Sequence, residues 1–152
     1  LYMNKKYYRT KLYFAFIIMI FSFVFFLSGC SATLPPTDEN QVAQVIDKYF
    51  QAINHINREE ALSYTIPDGA AYQATNSFFD TKVPLAEEKN TRYEYSYEMK
   101  TISVLDNTAR AEFLYTFRLI GFNDILAPTF NGNFTLKKVN GVWLLDVAPL
   151  AS

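Results

Sequence analysis

The residues with chemistry to offer are few. Cys30 is the only cysteine and His55 the only histidine among 152 residues. A lone thiol excludes a disulfide within the chain, and one histidine supplies no donor set for a metal. What Cys30 offers is a soft nucleophilic sulfur. Ser28 and Gly29 stand directly before it, and their small side chains let the backbone enter a protease site. His55 falls on the polar side of its helix and reads as a solvated surface residue. The carboxylates that could act as a pocket acid or base are Asp124, Asp146 and Glu112. Asp124 sits in a loop, Asp146 alternates away from Trp143, Leu145 and Val147, and Glu112 alternates away from Phe113 and Phe117. No Asp–His pair stands at a suggestive spacing and no glycine-rich phosphate loop is present, so no residue is assigned a catalytic role and no cofactor is implied. The other candidates are Tyr93, Tyr95 and Tyr97, with Trp143. Tyrosine suits half-wet contacts, so this row reads either as a ligand-lining or partner-facing surface, or as strand filling packed under a helix.

Charge narrows the class. Four of the 14 basic residues precede Cys30 and all 15 acids follow it, leaving residues 30–152 with a net charge of −5. That part is acidic and has no basic run, which argues against nucleic acid as a partner. Its acids are dispersed, as on a solvated surface. Its 123 residues make one domain with room for a core.

The segment before Cys30 has three parts. Residues 4–11 carry Lys5, Lys6, Arg9 and Lys11 and no acid; residues 12–27 are apolar except Ser22; small residues then lead to the cysteine. A basic stretch, an apolar stretch and a small-residue cleavage site make an export signal, whose basic end stays on the cytoplasmic side. An uncleaved membrane-spanning helix is the alternative: sixteen apolar residues in a helix reach roughly 24 Å, short of the roughly 30 Å hydrocarbon core, but the tyrosines before them could close that gap, so length alone does not decide. The run Leu27-Ser28-Gly29-Cys30 resembles the lipobox of bacterial lipoproteins at all four positions. The resemblance implies a diacylglycerol on the Cys30 sulfur, cleavage between Gly29 and Cys30, and retention in the cell envelope, at the outer face of the cytoplasmic membrane or at the outer membrane. The expected organisation is a signal peptide over residues 1–29, a lipidated tether over 30–37 stiffened by Pro35 and Pro36, and a domain over 38–152.

Within the domain the periodicity changes once. Residues 38–57 place Val42, Val45, Ile46, Tyr49, Phe50, Ile53 and Ile56 on one helical stripe, with Asp38 as the expected N-cap. A second helix is expected over 58–64, opened by Asn57-Arg58-Glu59-Glu60, with Asp68-Gly69 as a turn. Residues 71–79 read in part as a short strand and 85–89 as a helical turn after Pro84, in a region expected to lie over a pocket as a lid or loop. From Thr91 the period is two. Apolar positions switch face after Lys100, which predicts a bulge. Strands follow over 109–119, 129–139 and 142–147, with Asn123, Asp124 and Pro128 in a loop and Asn140-Gly141 as a hairpin turn.

This gives an α+β fold: N-terminal helices packed on a curved antiparallel sheet of four strands. The order is similar to the nuclear-transport-factor-2-like (NTF2-like) superfamily, a cone of curved sheet closed by helices. The resemblance is carried by the helix pair over 42–64, the alternating strand over 109–119 and the terminal hairpin with Asn140-Gly141-Val142-Trp143. A cystatin-like or lipocalin-like variant is the rival. Family members include isomerases, dehydratases, binding modules and subunits of secretion machines, and fold does not decide among them. The expected role is a non-catalytic module that binds a small apolar ligand or an envelope protein. An isomerase- or dehydratase-like enzyme and a structural subunit of a secretion or conjugation apparatus are the alternatives.

Overall fold

The computed structural model describes residues 36–121, 125–126 and 128–148, the backbone only at 125–126. The segment over residues 1–29 expected to be a signal peptide, with Gly29, and also Cys30 and Asp124, lie outside the described residues.

Helix α1 spans Asp38–Asn54. Five of the seven stripe residues, Val42, Ile46, Tyr49, Phe50 and Ile53, are within 2% of full burial, while Val45 is half-buried and Ile56, past the end of the helix, is 39% exposed. The cap is one residue earlier than expected. Thr37, in a non-helical conformation, accepts the Asn40 N–H on Oγ1 at 3.3 Å. Asp38 is therefore the first helical residue, and its carboxylate is free to reach out of the helix. Helix α1 also ends three residues short of 57, because Ile56 turns to φ +55°. Helix α2, Arg58–Ser63, is capped by Asn57, which accepts the Glu60 N–H and donates to the Glu60 carboxylate.

The expected strand within 71–79 is not there. Helix α3, Ala70–Ser77, runs through a π-helical turn, Phe78–Lys82, into helix α4, Val83–Glu88. The buried positions explain why: Ala71, Thr75, Phe78 and Phe79 recur at helical spacing. The alanines and the core decide against a strand here.

The sheet follows the expected meander, in the order β1 (Arg92–Leu105), β2 (Thr108–Ile120), β4 (Phe130–Val139), β5 (Val142–Val147). It gains a fifth, two-residue strand, β3 (Ile125–Leu126), antiparallel to β2 at Arg118 and Leu119. That strand occupies part of the expected loop. The phase switch in β1 is a register shift between Met99 and Thr101. A second shift lies between Thr135 and Leu136 of β4, opposite Asp146. It turns Val147 outward, 47% exposed, although simple alternation put it beside Trp143 and Leu145. Asn140 and Gly141 both take positive φ, 50° and 83°, as a type I′ hairpin turn demands. The edge of β5 is covered by the chain after α2: Ile66 N–H donates to the Leu145 carbonyl and Leu145 N–H to the Tyr64 carbonyl.

The core fills the concave face. Phe113 lies 4.7 Å from Phe134 between ring centroids, and Tyr49 meets Phe134 edge-on at 5.8 Å. The Tyr49 hydroxyl sits 2.7 Å from Thr75 Oγ1, which in turn donates to the Ala71 carbonyl. Gly132 is the one strand position where any side chain fails. A Cβ there would lie 2.5 Å from the Phe113 ring, which Phe134 and Phe50 hold in place. Gly132→Ala is expected to destabilise the fold by about 1–3 kcal/mol, read as a lower urea midpoint at unchanged slope. An unshifted midpoint would mean that Phe113 moves aside freely.

Candidate functional site

The tyrosine row lies on the concave face of the sheet. Register fixes this: Tyr95 pairs with Phe117 and Tyr97 with Tyr115, while Tyr115 also pairs with Phe130 of β4. Strand alternation then sends all these rings to one side. Helix α1 covers one end of the row. Phe50 stacks on Tyr97 at 4.5 Å and 19°. Phe78, in the π-helical turn, meets Tyr93 and Tyr95 edge-on. Further from α1 the cover thins. Phe117 and Phe130 stack at 6.0 Å with their planes 5° apart, Phe117 is half-buried, and Phe130 is 37% exposed. The three tyrosines are half-buried under the helices, and beyond them Phe117 and Phe130, which the sequence did not single out, stand half-open.

Two polar side chains from α1 fix the helix on this row, and neither stood out in the sequence. Asn54 donates to the Tyr95 carbonyl at 2.8 Å and accepts the Tyr95 N–H at 2.7 Å. Its amide thereby serves as a neighbour for one residue of an edge strand. Asp47 accepts the Tyr97 hydroxyl at 3.0 Å and a Gln51 amide hydrogen at 2.7 Å. Burial, reinforced by Asp47, pushes the Tyr97 hydroxyl up to about 12. Burial, reinforced by Tyr93 and Tyr115, raises Tyr95 as well. Both phenols are neutral hydrogen-bonding groups at ordinary pH and neither is poised to exchange a proton there.

Trp143 is a core side chain at the floor of an open groove of about 340 Å³ between α1, Tyr64 and β5, lined also by Val45 and Val142. It is 1% exposed, because β5 faces it inward beneath the start of α1. Its indole N–H donates to Asp38 Oδ1 at 3.0 Å, and Lys138 Nζ reaches the same oxygen at 2.6 Å. These two donors, Lys138 foremost, hold the Asp38 carboxyl below the usual carboxylate range. The carboxylates weighed as catalytic are elsewhere. Glu112 is exposed, 3.5 Å from Arg110. Asp146 pairs with Lys137 at 2.8 Å. His55 follows the last turn of α1 in solvent. Among the described residues no group of histidine, cysteine and acidic side chains is arranged to hold a metal, and no helix is long and apolar enough to cross a membrane. Between α4 and β1 there is a cavity of about 10 Å³, lined by Ile53, Phe78, Val83 and Tyr93 among others. That is less than a water molecule needs to be comfortable.

Comparison with solved structures places this architecture in the NTF2-like, cystatin-like class. An NTF2-like protein with a cystatin-like fold from Novosphingobium aromaticivorans superposes with a TM-score of 0.59 at 13% identity, covering 76% of this chain and 84% of its own. Aln2 from a Streptomyces species gives 0.61 at 13%, covering 75% and 90%. A protein from Catenulispora acidiphila, in complex with S-DNPA, gives 0.57 at 16%, covering 70% and 87%. At these identities the similarity is one of fold. No protein-family model and no curated protein matches the sequence.

The raised phenols carry a pH signature. For Tyr97 the folded value of about 12 exceeds the ordinary 10.0, so its contribution to stability is intact below pH 10 and is lost as pH rises through 12. Tyr97→Phe is expected to flatten the alkaline fall in stability, followed by circular dichroism and tyrosinate absorbance. Equal falls in both proteins would mean that this hydroxyl ionises without strain in the folded state.

Proposed function

We propose that the protein is a cell-envelope lipoprotein, held by lipid on Cys30, whose domain binds a small apolar, planar molecule without transforming it. The observation that carries the binding reading is the half-open aromatic row from Tyr95 through Phe117 to Phe130. Its rings, about 6 Å apart, offer a flat apolar ligand more rings to stack on. The adjacent hydroxyls, neutral at ordinary pH, would orient a polar edge of that ligand without proton transfer. The described carboxylates weighed as an acid or base, Glu112 and Asp146, pair with basic residues away from the row, which favours binding over an isomerase- or dehydratase-like reaction. A protein of the same fold class that was solved with S-DNPA is consistent with a ligand-holding domain. The anchor rests on the lipobox run Leu27-Ser28-Gly29-Cys30 and the basic and apolar stretches before it. In this reading the chain is cut before Cys30 and acylated on its sulfur. Two or more acyl chains at roughly 0.8 kcal/mol per buried methylene then make the attachment stable.

Both halves have direct tests. Cys30→Ser should release the protein from the membrane fraction and abolish the acylated mass; unchanged retention without lipid would overturn the anchor. A neutral naphthylamine dye should gain fluorescence with the wild-type protein. Phe117→Ala should weaken its binding by roughly fivefold, as expected for loss of one aromatic stacking contact of about 1 kcal/mol. Phe130→Ala should do the same. Binding as tight as wild type in both variants would remove the row as the ligand surface.

A further inference from the structure

The two hairpin turns of the sheet meet at one end of the domain. Lys138 N–H donates to the Asn107 carbonyl at 2.9 Å, tying the β4–β5 turn to the β1–β2 turn. The chain enters the domain at that same end, since Asp38 is held by Lys138 and Trp143. Three aliphatic side chains are uncovered there. Leu105 is 76% exposed, Val142 57% and Val139 40%, and they include the two most exposed large apolar side chains described. Register puts them on the convex side, opposite the half-buried Val104 and the buried Leu136 and Trp143. Leu105 on edge strand β1 and Val142 on the opposite edge strand β5 have β2 and β4 between them, so they form no single patch; what they share is this end of the sheet.

We infer that Leu105, Val139 and Val142 form a contact with the lipid surface, seating the domain on the bilayer by its two hairpin turns. The inference rests on the lipid anchor at Cys30. Residues 30–37 can span at most about 28 Å fully extended, and they lead directly to the turn end of the sheet. The opposite end is about 40 Å away along the fourteen residues of β1. A bilayer at the end of this tether is therefore the apolar phase nearest these side chains, and small aliphatic side chains can enter the headgroup boundary. The lysines at this end do not drive the contact, because Lys138 is paired with Asp38 and Lys137 with Asp146.

The test uses full-length protein purified from membranes and reconstituted into phosphatidylcholine vesicles with brominated acyl chains. Acylation consumes the Cys30 sulfur, so an environment-sensitive dye attaches to one new thiol: Leu105→Cys, Val142→Cys or, as a control at the far end, Leu85→Cys in α4, itself 46% exposed. All three positions are open, so the fold tolerates the change. The dye at 105 and 142 should be quenched by brominated chains and shielded from iodide several-fold better than the dye at 85. Acylated protein that floats with vesicles while all three dyes respond alike would overturn the contact and leave the anchor standing. Protein found without acyl chains would overturn both. Shielding from iodide without quenching by brominated chains would mean that a second copy or another protein covers the turns, and would overturn the lipid contact.

Discussion

The structure depends on how α1 is fixed across the concave face of the sheet. Two polar clasps do this, about 24 Å apart along the helix. At one end the Asp38 carboxylate takes hydrogen bonds from Lys138 and Trp143; at the other the Asn54 amide pairs with both backbone groups of Tyr95. Apolar contact is non-directional, so the stripe of Val42, Ile46, Phe50 and Ile53 would accept several positions along a greasy sheet. The clasps accept one. With the helix fixed, Phe50 meets Tyr97 face to face and Phe113 edge-on, and Tyr49 comes within reach of Thr75. The Asn54 clasp also satisfies an edge-strand residue that would otherwise offer its backbone to another chain.

The same arrangement limits the chemistry. Packing the cone with rings leaves little volume for water and puts no described carboxylate at its centre. Asp47 reaches the row only from the rim, through the Tyr97 hydroxyl. Burial and that contact keep the phenol protonated. In the proposed reading these rings serve as stacking surface for a ligand.

Much of this was legible because one-dimensional periodicity maps directly onto α1, β1 and β2. The phase switch after Lys100 even located the bulge. The failures share a cause. Where a strand was expected within 71–79, tertiary burial of Ala71, Thr75 and Phe78 favours a helix. The outward turn of Val147 depends on a register shift that alternation alone cannot reveal. Trp143 read as a surface candidate because an aromatic in a terminal strand has no sequence mark for which side the helix lies on. Asn54 and Asp47 were invisible as site residues for the same reason. Their partners are 41 and 50 residues away, and nothing local records a long-range hydrogen bond.

The two ends of the sheet divide the labour. The turn end carries the chain's entry, the paired lysines and the exposed Leu105 and Val142. The other end carries Tyr93, at the start of β1, and Phe117, near the end of β2, with Phe130 at the start of β4 beside them. The opening of the aromatic row thus lies far from the tether. A domain seated on a bilayer by its hairpin turns would present these rings away from the lipid. That polarity matters for a binding site made of exposed aromatics, because the nearest competing apolar phase is the membrane itself. Had the rings opened at the tether end, acyl chains would compete for them at high local concentration. Under the proposed binding and seating, rings at the far end would stay available to a ligand arriving from the aqueous side.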